Sequence, residues 1–171
     1  DYEKLQFSYR QPWRMGGLGT FSSTIEAGKT FGEVPLGLLS VVPGNQNLFS
    51  IYGTFPQLNY YEFVTDTYAT LHLEHNFGGR LFGRIPFLRK LNLREIIGFR
   101  GAWGSISEEN QLINASNIDY IAPNEEPYYE YSVGVGNILK VLRIDFNFRG
   151  NYLDTPDARS FGVTGALEFS F

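Results

Sequence analysis

Leu142-Arg143-Ile144-Asp145-Phe146-Asn147-Phe148-Arg149 is the stretch whose reading decides the fold. Leu142, Ile144, Phe146 and Phe148 fall on one side of an extended chain, and Arg143, Asp145, Asn147 and Arg149 on the other. Strict period two is the mark of a β-strand with two chemically different faces. The last segment repeats it: Phe161, Val163, Gly165, Leu167, Phe169 and Phe171 share one face, and Gly162, Thr164, Ala166, Glu168 and Ser170 the other. Asp154-Thr155-Pro156-Asp157, between the two, reads as a turn or loop.

The same alternation runs back through the chain. Tyr129, Tyr131, Val133 and Val135 oppose Glu130, Ser132, Gly134 and Gly136. Leu93, Ile97, Phe99 and Trp103 oppose Arg94, Gly98, Arg100 and Gly104 less cleanly. A segment from about Phe63 to Phe77 sets Ala69, Leu71 and Leu73 against Tyr68, Thr70, His72 and Glu74. Phe21, Ile25 and Phe31 oppose Ser22, Thr24, Glu26 and Gly28, and Leu5, Phe7, Tyr9 and Trp13 oppose Lys4, Gln6, Ser8 and Arg10. That predicts about seven strands, each with a ring-rich apolar face and a polar or glycine face. No long amphipathic helix is visible; the nearest, Leu81 to Leu91 (LFGRIPFLRKL), is short and basic.

Such strands fit a soluble sandwich with the apolar face inside, or an outer-membrane barrel with the apolar face on lipid and the polar face lining a lumen. Four features favour the barrel. The strands reach about ten residues or more, where soluble strands average five to six. Rings cluster at strand ends (Tyr128 and Tyr129, Tyr60 and Tyr61, Trp13, Trp103, Phe169 and Phe171), as an interfacial girdle requires. The polar faces carry both signs, Arg143 with Asp145 and Arg149 with Glu168. The alternating strand at the C-terminus ends in Phe, with Gly165, Leu167, Phe169 and Phe171 as the barrel signal. In lipid every backbone group must pair internally, so a sheet crosses a membrane only by closing.

Composition agrees. The 171 residues suit one domain over the whole chain, 1–171. Lys+Arg number 14 against Asp+Glu 18, a net charge of −4, which lacks the basic surplus of a nucleic-acid binder. Charged residues are 19%, below the roughly 25% of soluble domains. Aromatics at 16% argue against long disordered tracts. With no cysteine there is no disulfide, thiolate metal site or thiol nucleophile, which suits an envelope protein. The longest apolar run, Val34 to Val42, is about half the roughly 20 residues of a spanning helix and holds Pro35. The chain opens Asp-Tyr-Glu-Lys without a signal sequence, as expected of a mature chain or a piece of a longer one.

The segments Pro127 to Phe171, Glu26 to Pro35 (EAGKTFGEVP), Tyr61 to Gly79 (YEFVTDTYATLHLEHNFGG) and Leu93 to Ser105 (LREIIGFRGAWGS) together resemble a family of Bacteroidota outer-membrane proteins of unknown function. Its longer members begin with a carboxypeptidase-regulatory-like domain and finish in a barrel. At longer range the arrangement is similar to the surface-antigen superfamily of barrel-assembly and translocation proteins. The resemblance implies the last seven or so strands of a larger barrel of about sixteen. A complete eight-stranded barrel, with an extra strand near Leu48 to Phe55, is the alternative.

The superfamily folds a long loop into the lumen and sets a Val-Arg-Gly-Phe/Tyr motif against an Asp on a neighbouring strand. The equivalent loop here, about Glu33 to Asn59, reads Val41-Val42-Pro43-Gly44-Asn45-Gln46 and holds no arginine, and Arg100 stands where the Asp is expected. The resemblance therefore implies a lock that is missing or rebuilt from other residues. If the last strand ends in the periplasm, Leu139-Lys140 and Gly79 to Leu91 are periplasmic. Glu33 to Asn59, Ser107 to Pro127 and Asp154 to Ser160 then face outside. The periplasmic segment carries Arg80, Arg84, Arg89 and Lys90, and the second outer loop Glu108, Glu109, Asp119, Glu125 and Glu126.

Two histidines lie in His72-Leu73-Glu74-His75, which is not the helical zinc arrangement. On a strand His72 and Glu74 share the lumenal face, where they are expected to satisfy each other, and His75 looks the opposite way. Asp66 is about 20 Å from His72 along the strand, too far to assist it. No enzyme activity, metal or other cofactor is expected. The lumenal charges Glu26, His72, Glu74, Arg94, Arg100, Arg143, Asp145, Arg149 and Glu168 are expected to neutralise one another in a wet interior; selection of solutes is the alternative. Phe146→Arg is expected to cost roughly 2–4 kcal/mol on the lipid face, and Asn147→Arg little. The expected function is outer-membrane biogenesis or passage of macromolecules. Alternatives are a structural or partner-binding barrel subunit of an envelope complex, or a passive solute channel. The partners are then outer-membrane lipid, the remaining barrel strands or other envelope proteins, and no nucleic acid.

Overall fold

Each alternating segment forms a strand, and each long strand pairs antiparallel with the next. The computed structural model of the chain describes residues 2–115 and 121–168. Its strands are β1 (Glu3–Arg14), β2 (Thr20–Phe31), β3 (Ser40–Val41), β4 (Val64–Thr65), β5 (Thr67–Asn76), β6 (Arg94–Ser105), β7 (Tyr128–Ile138), β8 (Leu142–Arg149) and β9 (Phe161–Leu167). Seven make one all-antiparallel sheet in the order β1-β2-β5-β6-β7-β8-β9; β3 and β4 pair separately. Among the described residues the helices are short, such as α1 (Pro86–Arg89) and α2 (Glu108–Ile113). No helix among the described residues is long and apolar enough to cross a membrane.

Chain order equals sheet order, so the connections alternate between two ends. Residues 15–19, 77–93 and 139–141 join strands at one end, and 32–63, 106–127 and 150–160 at the other. The strand expected from Phe63 starts later, because Val64 and Thr65 leave the large sheet to pair with Val41 and Ser40. The C-terminal Phe169 and Phe171 and loop residue Asp119 lie outside the described residues.

The sheet wears its faces as the alternation predicts. In β8, Arg143 is 8% exposed and Asp145 1%, while Phe146 is 40% exposed. Val133 on β7 and Leu167 on β9 are 51% and 62% exposed. The outward rings pack laterally, Tyr131 stacked on Phe148 at 5.2 Å and Trp13 on Phe21 at 5.6 Å. Tyr128 departs from the girdle expectation. It has the parity of Glu130 and points inward, fully buried, with its ring 5.2 Å from that of Phe63.

The apolar core lies between the sheet's inner face and the 32–63 connection. Val42, Phe55, Leu58 and Phe63 from that segment cluster with Ala102 and Tyr128. The segment crosses the whole inner face. The Phe55 ring lies 4.9 Å from that of His72 on β5, the Tyr52 hydroxyl is 2.7 Å from Thr24 Oγ1 on β2, and the Ser50 N–H donates to the Gly165 carbonyl of β9. Strands β2 and β9 are five ladders apart, about 24 Å in a flat sheet. Ser50 and Tyr52, about 7 Å apart at most, touch both. The sheet is therefore curled, although β1 and β9 do not pair.

No strand forms over Leu48–Phe55, which corrects the eight-stranded alternative. That stretch contributes two isolated parallel bridges, Phe49 to Gly165, with Leu48 accepting from the Gly165 N–H, and Phe55 to Gly44. Its Asn45, Gly53 and Pro56 neighbours favour turns over a continuous ladder.

Candidate functional site on the inner face

Inward-pointing polar side chains converge because alternate residues of seven strands share one curled surface. Arg143 sits at the centre of the larger group. Its guanidinium reaches Glu74 on β5 at 2.7 Å, Asp145 on its own strand at 2.8 Å, and Glu168 just beyond β9 at 3.0 Å. Asp145 accepts from both Nε and Nη2, a two-pronged contact that fixes the planar fork. Glycine makes the room: a Cβ built at Gly134 would collide with the Asp145 carboxylate. Other polar-face glycines make room in the same way for uncharged neighbours, Gly28 for the Tyr68 ring, Gly98 for the Ser132 hydroxyl and Gly162 for the Gln57 amide.

A cavity of about 280 Å³ opens beside this group, lined by Ser22, Thr24, Tyr52, His72, Arg100 and Glu168 among others. The Arg10 guanidinium stacks 4.6 Å from the Tyr52 ring centre. Two pairings expected from the sequence are corrected here. Glu74 is held by Arg143 instead of His72, whose ring packs on Phe55. Glu168 serves Arg143, not Arg149. Charge on a shared face was visible; which strands the curl brings together was not.

Arg149 forms a second, separate centre. It bonds Glu62 Oε1 at 2.6 Å with both side chains buried, and also donates to the carbonyls of Tyr152 and Asn151 and to Thr155 Oγ1. Its Nη1 donates to the Gln57 carbonyl. Gln57 in turn gives its N–H to Glu130 Oε1, which also accepts from the Tyr128 hydroxyl at 2.6 Å. The inner segment is latched to β7 and β8 through this chain of bonds. Glu62 and Arg149 thus form a buried ion pair between the inner segment and β8, while the Val41–Gln46 stretch contributes no charge. Nothing periodic marks Glu62; the only hint is a carboxylate just before a strand in a loop without arginine.

The remaining site residues are spread out. Glu26 accepts from the Tyr68 hydroxyl at 2.7 Å and from Gln6 at 2.9 Å. Arg100 donates to Asn147 Oδ1 at 3.3 Å. Arg94 lines a basic cavity at the turn end. Gly165 anchors the inner segment, and Leu167 faces outward. Asn147 is fully buried and donates to Thr164 Oγ1 at 3.0 Å. The expected tolerance of Asn147→Arg therefore fails, because this part of the interior is packed and an arginine there would overpack it.

Burial pushes the Glu62 carboxyl up, but the Arg149 guanidinium, the Asn59 N–H and the Thr155 hydroxyl outweigh it and hold it below its ordinary 4.5. Asp66, between β4 and β5, is likewise pushed up by burial and brought below its ordinary 3.8 by the Ser107 N–H and hydroxyl, Asn110 and Thr67. Carboxylates held low stabilise the fold above their ordinary values and lose that contribution as pH falls through their folded values. Hydrogen-exchange protection of residues 33–63 should thus stay constant down to about pH 5 and fall below about 4.5. Glu62→Gln should bring the loosening to neutral pH. An acid step of unchanged size in that variant would assign the step to other groups.

Residues 1–107 match a family of unknown function, the DUF5686 C-terminal domain. No curated protein matches the chain.

Proposed function

The chain belongs to the DUF5686 family, through its C-terminal domain, and we propose that it forms seven strands of an outer-membrane β-barrel of the surface-antigen kind, serving outer-membrane assembly or passage of macromolecules. One observation carries this reading: burial is inverted, with Arg143, Asp145 and Arg149 inside and Phe146, Val133 and Leu167 outside. In water that outer face would be an aggregation liability; against acyl chains it is the favourable arrangement.

Strand direction supports further strands. Seven alternating strands leave β1 and β9 running the same way, so antiparallel closure requires an odd number of additional strands and gives an even total. β1 offers a twelve-residue edge, almost wholly exposed on both faces. Such an edge is untenable in lipid without a partner strand. The inner segment favours controlled passage over free diffusion, because Phe55, Leu58 and Phe63 lie packed across the inner face.

Two experiments test the proposal. Depleting the protein should lower the levels of other outer-membrane proteins; normal levels would remove the assembly role. In planar bilayers the intact protein should show no steady open conductance, and deletion of residues 44–58 should create one. A steady conductance in the intact protein would favour a passive channel instead.

A further inference from the structure

Two adjoining hollows lie at the short-turn end of the sheet, away from the inner segment. One is a polar cavity of about 440 Å³ between the 77–93 and 139–141 connections, lined by Arg89, Arg94 and Lys140 together with Asn92 and Asn137. The other is an apolar groove of about 680 Å³ on the outer face, lined by Leu91, Leu93, Val135, Ile138, Ile144 and Phe146 and flanked by Lys90. Asn92, Leu93, Asn137 and Lys140 line both, so the two adjoin.

The charge is unbalanced. Among the described residues none of Arg89, Lys90, Arg94 and Lys140 has a carboxylate partner within ion-pair distance. Glu95, next to Arg94 in sequence, is buried and accepts from the Phe82 N–H, and Glu168 gives an oxygen to Arg143. The walls are fixed: Asn137 Nδ2 donates to the Asn92 carbonyl at 2.7 Å, tying one turn to the other. Asn92, Asn137, Leu139 and Lys140 all have positive φ, between 50 and 71°. At Leu139 and Lys140 this is the conformation a two-residue hairpin turn requires, closed by the Val141 N–H donating to the Ile138 carbonyl.

From this juxtaposition we infer a built site for an anionic phospholipid of the periplasmic leaflet, with its phosphate among Arg89, Arg94 and Lys140 and an acyl chain along the Leu93–Ile144–Phe146 groove. A free phosphate would leave the groove empty, and an acidic peptide would have no use for a groove on a lipid-facing surface. The site rests on the membrane reading, since the groove lies on the face assigned to acyl chains. It would pin the turn end of β5 to β8 at the headgroup level.

Native mass spectrometry of the intact protein, extracted from its membrane in neutral detergent, tests this with equal amounts of phosphatidylglycerol and phosphatidylcholine. Two or three basic groups should favour phosphatidylglycerol adducts by about thirtyfold or more. Arg89→Ala with Lys140→Ala should abolish the preference, Arg89→Lys should keep it, and Lys29→Ala at the opposite end should leave it unchanged. Equal binding of both lipids by the unaltered protein overturns the site while leaving the membrane reading standing. Displacement of the lipid by glycerol phosphate alone would show that the groove is unused and also overturn it. A protein that stays dissolved without detergent would overturn the membrane reading and the site with it.

Discussion

Arg143→Leu is expected to cost about 3–5 kcal/mol, the range for breaking a buried charge pair by removing one partner. Arg143 balances Glu74, Asp145 and Glu168, and Asp145 is almost completely buried with its oxygens turned to that guanidinium. Leucine would leave a carboxylate inside the sheet with no countercharge. The urea midpoint for unfolding from detergent should fall sharply, and the folded band on unheated gels should weaken or vanish. Adding Asp145→Asn should recover part of the loss, because the stranded charge is then gone. A single variant as stable as the unaltered protein would mean that the interior is wet enough to solvate Asp145, and that Arg143 organises nothing.

Phe146→Arg should destabilise by about 2–4 kcal/mol if the residue lies near the bilayer midplane. Phe146 faces outward beside Phe161, their rings stacked at 6.4 Å. The matched control is Ser22→Arg. Ser22 lines the inner cavity and is directly opposite Glu74 across the β2–β5 ladder, so an arginine there gains both space and a countercharge. It should cost under about 1 kcal/mol, within the usual range for substitutions that leave no buried group unpaired. Refolding into lipid vesicles at graded urea measures both. Equal costs would mean that the outward face does not meet hydrocarbon; a costlier Ser22→Arg would mean that the faces are exchanged.

How the polar groups divide between two centres illustrates what a linear pattern leaves open. Arg143 and Arg149 are six residues apart on one face of one strand, and both invite pairing with the nearby carboxylates Asp145 and Glu168. Arg143 takes both and also reaches across to Glu74 on β5, which leaves Arg149 to capture Glu62 from the inner segment. Asn147, between them, reads as a wet position but is sealed against Thr164 and Arg100. His72 and Glu74 are two apart and share a face, but the nearer attraction for Glu74 is a guanidinium three strands away.

Period-two alternation by itself determined the seven strands, their antiparallel order and the face each side chain occupies, because each side-chain direction follows from parity and each short connection forces neighbours to pair. Basic residues near the turns and carboxylates near the long loops were equally plain in the chain. Only the tertiary structure decided which charges meet, that residues 33–63 pack across the sheet's inner face, and that Glu62 and Arg149 close the latch. Those contacts join positions far apart in sequence and depend on how tightly the sheet curls, a property summed over six ladders that no single strand encodes.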